Sequence, residues 1–169
     1  MMWQRTIPAL VCVCLLMATA AMGDGRLRVI FETDAGGDQD DQASLVRLLM
    51  YSNDFDIQGI IAERHPSQYG KDGAFNDAGT GAANSLELVR DYIEAHGGVR
   101  AKLVKHDPRY PTMNELLSRT VAAHNDTQDG VNLIINRVDA SNEPLWYGNW
   151  GSNSGTTSNL KRALDKCLR

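Results

Sequence analysis

The chain has 169 residues and carries 17 Lys and Arg against 21 Asp and Glu, a net charge of −4. No cluster of Lys and Arg stands out, which argues against nucleic acid as a partner. Three cysteines are too few for a disulfide-stapled scaffold.

The chain opens with one positive charge at Arg5, an apolar run of 11 residues over 7–17, and small residues over 18–21. That order predicts a secretory signal peptide, cleaved after Ala20 or Gly23. The run is too short to span a bilayer comfortably. Neither Cys12 nor Cys14 follows the small residue that a lipoprotein signal needs, so no lipid anchor is expected. The expected organisation is a signal peptide over 1–23 and one domain over 24–169, secreted or periplasmic and free of the membrane after cleavage. About 146–149 residues then remain, enough for a single core. Their charge is −5, because Arg5 is the only charged residue removed. Cys167 is left alone and cannot form an internal disulfide.

Residues 27–31 predict a strand that runs into Glu32, Thr33 and Asp34. A loop rich in Gly and Asp comes next, over 35–41. Leu45, Leu48 and Leu49 then share a helical face over 42–50, with Asp40 or Asp41 as its cap. Residues 55–62 predict a second strand, and 63–80 a polar loop. Ala82, Leu86, Val89 and Ile93 predict a helix over 81–96, ended by Gly97 and Gly98. A short strand is expected over 102–105 and a turn over 107–111. Thr112 would cap a helix over 113–123. Val131, Ile134, Ile135 and Val138 mark another helix. Residues 144–150 predict an aromatic strand and 151–157 a loop. Leu160, Ala163, Leu164 and Cys167 show helical spacing again.

Strands alternating with helices predict an α/β fold: an open, mostly parallel sheet with helices on both faces. Ligands in such sheets sit at the carboxyl ends of the strands. Here that edge carries the loops over 35–41 and 151–157. The chain stops inside its last apparent helix, so the expected fold is a truncated one.

Asp34, Asp38, Asp40 and Asp41 lie within eight residues of a strand terminus. Packed into a loop they repel one another. A hard cation would compensate, and Ca²⁺ takes about 6–8 oxygens from carboxylates, carbonyls and water. Gly36 and Gly37 allow the tight turn such a site needs. The alternative is that Asp40 and Asp41 cap a helix while Asp34 and Asp38 are solvated. The spacing does not fit an EF-hand, and Gly79-Thr80-Gly81 has no strand directly before it to make a dinucleotide loop.

A strand ending in Thr33-Asp34-Ala35-Gly36, then the Asp40-Asp41 pair opening an apolar helix, resembles the aspartate signature of calcium-dependent nucleoside hydrolases. Residues 33–49, 51–62 and 144–151 resemble a secreted bacterial branch of that superfamily, described as nucleoside-hydrolase-like and in one case cellulose-binding. The likeness runs from about Leu27 to the end. It implies that Asp34 activates water and touches calcium, that Asp41 binds calcium, and that Asp40 holds a sugar hydroxyl. The loop is longer than in the hydrolases, so Asp38 competes for the role given to Asp40. Gly155, Thr156 or Thr157 would add a carbonyl ligand.

The family's C-terminal aspartate and its neighbouring histidine have no counterparts. His65, His106 and His124 all precede the aromatic strand and read as solvated residues. Trp146, Tyr147 and Trp150 either stack on a sugar or base or pack in the core.

The resemblance implies a calcium-dependent hydrolase of an N-glycosidic or related glycosyl compound, with Asp34 as the base. The alternative is a non-catalytic carbohydrate-binding protein on the same fold, with cellulose as ligand. The partner is then a small glycosyl compound or a polysaccharide, and a homo-oligomer is compatible with either.

Overall fold

The computed structural model describes residues 25–63, 84–123, 128–150 and 159–168. The expected signal peptide lies outside them, as do His65, His124, Gly155, Thr156 and Thr157. In chain order the elements are β1 (Leu27–Thr33), α1 (Gln39–Met50), β2 (Phe55–Ala62), α2 (Ser85–Leu103), α3 (Met113–Ser118), β3 (Thr120–Ala122), α4 (Asp129–Asp139), β4 (Leu145–Asn149) and α5 (Asn159–Cys167). The sheet order is β3-β2-β1-β4, and every pairing is parallel.

Alternation along β1 divides the core in two. Val29 and Phe31 face a cluster with Leu45, Leu48, Leu88, Ile93 and Leu116, so α1, α2 and α3 cover that side. Ile30 faces Val131, Ile134 and Ala163, so α4 and α5 cover the other. This is the two-faced parallel α/β sheet that the sequence pattern predicts. No helix among the described residues is long and apolar enough to cross a membrane, and Cys167 is a free, exposed thiol.

One irregularity sets the faces of β2. Val29 pairs with Ile57 but Ile30 pairs with Gly59, so Gln58 is an extra residue, a β-bulge. The bulge puts Ile57 and Ile60 in the same cluster, although their spacing would otherwise separate them. Arginines satisfy the carbonyls there: Arg119 Nη1 donates to Ile57 O at 2.5 Å and Arg137 Nε to Gln58 O at 3.0 Å. Gly59 lies against α4, where an added Cβ would fall 2.4 Å from Leu133 Cδ2. The Leu133 methyl can yield, but only by disturbing a packed layer. Gly59→Ala should therefore cost about 1–3 kcal/mol, read as a lower urea midpoint with an unchanged m-value.

Three expectations about elements are corrected. The first helix starts at Gln39, not Gln42, because Asp38 is its N-cap and Asp41 reaches back to it. The helix expected over 81–96 runs over Ser85–Leu103, straight through Gly97 and Gly98. Gly97 marks a close approach of helices instead of an end, since a Cβ there would meet Met113 Cβ at 3.0 Å, whereas Gly98 faces open space. In place of the strand expected over 102–105, Lys102 and Leu103 finish this helix and Val104 and Lys105 turn the chain away from it.

Thr112 does cap the next helix, accepting from Glu115 N at 3.2 Å. That helix ends at Ser118, and Thr120–Ala122 pairs with β2 as an edge strand. Backbone bonds from Ile60 N to Arg119 O and from Ala123 N to Ala62 O fix that pairing, so tertiary pairing overrides local helical periodicity.

His96 of α2 is buried, and neither ring nitrogen has a hydrogen-bond partner among the described residues. Burial first, then the Arg100 charge, push its pKa below the ordinary 6.5. The folded state thus favours the neutral ring, and the unfolded state binds the proton first. Stability from this group is complete above pH 6.5 and is lost as pH falls from there towards the folded pKa. His96→Leu should flatten that part of a stability-against-pH curve measured by thermal unfolding. An unchanged slope would assign the acid sensitivity to other groups.

Candidate functional site

The site is built at the carboxyl end of β1. Ala35 N donates to Thr33 Oγ1 at 3.2 Å and Gly37 N to Asp34 O at 2.9 Å, which folds the chain back directly after Asp34. Gly36 sits at φ +96°, a left-handed conformation that favours glycine. α1 then begins, so Asp40 and Asp41 belong to its first turn and not to the loop.

Asp41 Oδ2 accepts from Asp38 N at 2.8 Å, the N3 half of a capping box. Its carboxyl pKa is raised. Burial is the largest cause, the Asp38 amide opposes it, and repulsion from Asp34, Asp40 and Asp38 adds to it. The other three aspartates therefore all act on Asp41. Asp34 and Asp41 are half-buried, with Asp34 Oδ1 fully shielded, while Asp38 and Asp40 are exposed on the helix rim.

Of the helix-cap alternative, the part given to Asp41 holds; Asp38, expected there to be only solvated, is the N-cap and takes the role expected of Asp40. Among the described residues no three His, Cys, Asp or Glu side chains are grouped closely enough to hold a metal by themselves. Asp34 and Asp41 still form an all-oxygen, mutually repelling pair at the edge where ligands bind, which suits a hard cation in kind.

A residue that sequence reasoning missed lies beside this pair. Glu32 is fully buried on the α4/α5 face. Tyr147 Oη donates to its Oε2, and Asn159 Nδ2 donates to its Oε1 at 2.5 Å. Trp150 N donates to its backbone carbonyl at 2.8 Å. Residues on both sides of segment 151–158 are therefore tied to Glu32. The signal was present in the sequence, as a glutamate inside the strand Val29-Ile30-Phe31-Glu32-Thr33, where a buried carboxylate needs partners. Glu63, at the end of β2, is another buried carboxylate on the same edge; its N–H donates to Thr33 O at 3.0 Å.

The aromatic strand splits its residues between faces. Tyr147 points to the α4/α5 side and is half-buried there. Trp146 and Trp150 are 59% and 37% exposed, so neither is core. Trp150 leans on Phe31, with ring centroids 4.6 Å apart. His106 is exposed after α2 and packs on none of these groups.

Over residues 28–167 the chain matches the family described as cellulose-binding Sde182, nucleoside hydrolase-like domain. The chain belongs to this family. A solved structure with the same architecture is a nucleoside hydrolase-related protein from Saccharophagus degradans that is associated with carbohydrate metabolism. It is 30% identical, with a TM-score of 0.64 over 85% of this chain and 34% of that one. This nucleoside-hydrolase-like chain thus spans about a third of that relative. No curated protein matches the chain.

Proposed function

We propose that this domain binds a glycosyl compound at the carboxyl edge of β1, with Asp34 and Asp41 as calcium ligands and Asp38 and Asp40 on the rim as acceptors for sugar hydroxyls. One observation carries the reading: four aspartates gather where β1 runs into α1, with Asp34 and Asp41 half-buried, Asp34 Oδ1 shielded and Asp38 and Asp40 on the rim. The description of the family as cellulose-binding and the relative's association with carbohydrate metabolism support a sugar as the ligand. Calcium, when bound, would neutralise the carboxylates and take hydroxyl oxygens into its shell.

Asp34 places a shielded carboxylate at the strand terminus, which favours a second reading, hydrolysis of the glycosidic bond. Its carboxylate would take the proton of the attacking water as general base. The rim aspartates would hold the ring in place, which removes part of the entropic barrier. The description of the family as cellulose-binding makes binding the primary reading.

Secretion or export to the periplasm belongs to the same proposal and rests on the order of residues 1–23. The two readings part on one comparison: the chain with calcium is assayed for free sugar released from nucleosides and for retention on insoluble cellulose. Retention without release supports binding. Release that is lost in Asp34→Asn establishes catalysis. Neither retention nor release would remove the proposal.

A further inference from the structure

A groove of about 380 Å³ opens between α1, Phe31 of β1, Phe55 of β2 and Trp150, within the size range of ligand pockets, about 300–1,000 Å³. Its apolar wall is Phe31, Leu48, Phe55 and Trp150. Phe31 can lie against β4 only because residue 148 is glycine, since a Cβ there would sit 2.8 Å from Phe31 Cδ1. Phe31 in turn props Trp150, with the two rings inclined at 42°. Ser44, Arg47, Leu48 and Tyr51 recur at helical spacing, so α1 offers the groove one mixed stripe. Among the described residues the Arg47 side chain makes no hydrogen bond or ion pair, yet it lines this groove, as does Asp54.

We infer that this groove binds successive rings of a neutral oligosaccharide chain, extending the site at Asp34. The inference rests on the reading of that edge as a glycosyl site. An aromatic wall suits the flat C–H face of a pyranose with equatorial substituents. Arg47 supplies only donors, and the Asp54 carboxylate only acceptors. Hydroxyls use both, whereas an ionic ligand of either sign would meet a like charge. The groove also lies near the proposed site in the fold, because Trp150 N bonds to Glu32 O, two residues before Asp34, and Ser44 and Arg47 stand on the helix that Asp41 opens.

The test titrates the full chain with cellobiose and cellotetraose by calorimetry, with and without calcium. Cellotetraose should bind more tightly than cellobiose. Trp150→Ala and Arg47→Gln should each weaken cellotetraose about tenfold or more and abolish the advantage of the longer sugar. Trp146→Ala is the control, since Trp146 is exposed on β4, which ends just before Trp150, but does not line the groove, and it should bind as the parent does.

Arg47→Gln, on the helix surface, guards against loss of fold in the tryptophan variant, and thermal unfolding checks both. Equal affinities for the two sugars, in a chain that binds them through calcium, would overturn the groove and leave the Asp34 site standing. Retention of the length advantage in Asp34→Asn, with no calcium effect in the parent, would do the reverse. A change of sedimentation from dimer to monomer in Trp150→Ala would assign the groove to a second copy and overturn the proposal.

Discussion

Glu32→Ala is expected to destabilise the fold by roughly 3–5 kcal/mol, more than any other substitution at this edge. A buried carboxylate costs desolvation, and removing it alone would relieve that cost. The donors decide the sign. Tyr147 Oη and Asn159 Nδ2 both point at Glu32, and each buried donor left without an acceptor costs about 1–3 kcal/mol. The lost side-chain volume adds a cavity at a fully buried position.

The same change frees the contacts that tie β4 and α5 to β1 around segment 151–158. Chemical denaturation should show the lower midpoint, and hydrogen exchange should quicken in β4 and α5 before β2. Glu32→Gln keeps one acceptor oxygen and should fall between the parent and Glu32→Ala. A parent-like midpoint for Glu32→Ala would mean that Tyr147 and Asn159 find other partners and that Glu32 holds nothing together.

Asp41→Asn should reverse its effect with calcium. The Asp41 pKa is raised above its ordinary 3.8, by burial and then by its acidic neighbours. The folded state therefore holds this proton more tightly than the unfolded chain does. Stability from the group is present below pH 3.8 and is lost as pH rises through the folded pKa.

At neutral pH without calcium, the neutral amide should then unfold no earlier than the parent, since it removes repulsion and keeps an oxygen for the Asp38 amide. With calcium a hundredfold above Kd, the parent should gain about 2.7 kcal/mol by mass action, and the variant little of it. The order of melting temperatures should cross between the two conditions. Asp38→Asn discriminates among the aspartates: its carboxylate is exposed, so a small loss of the calcium response is expected. Magnesium should substitute poorly, because it demands a small octahedron and keeps its waters.

The sequence disclosed most where burial and periodicity agree. Residues 55–62 read as a strand and are one, because Ile57, Ile60, Ile61 and Ala62 are buried on a parallel sheet covered on both faces. The place of Asp34 was legible too, since it follows directly on the apolar run of β1. What stayed hidden depended on distant contacts. Gly97 and Gly98 look like a helix end, and only the approach of Met113 explains the first of them. β3 is three residues long and owes its conformation to β2. The bulge at Gln58 leaves no mark in a sequence that alternates imperfectly anyway. Glu32 was visible as an odd residue in a strand, but its partners lie 115 and 127 residues away.

The central claim is that a sugar is held at the carboxyl edge of β1 through the aspartates. Isothermal titration of cellobiose into the chain, with saturating calcium and then with chelator, tests it most directly when repeated on Asp34→Asn. Asp34→Asn keeps the shape of the side chain and removes its charge. The account predicts binding by the parent that depends on calcium and is lost, or weakened at least about tenfold, in Asp34→Asn. Binding that is equal with calcium and chelator and unchanged in a folded Asp34→Asn would contradict it, leaving the cluster as no more than the cap of α1.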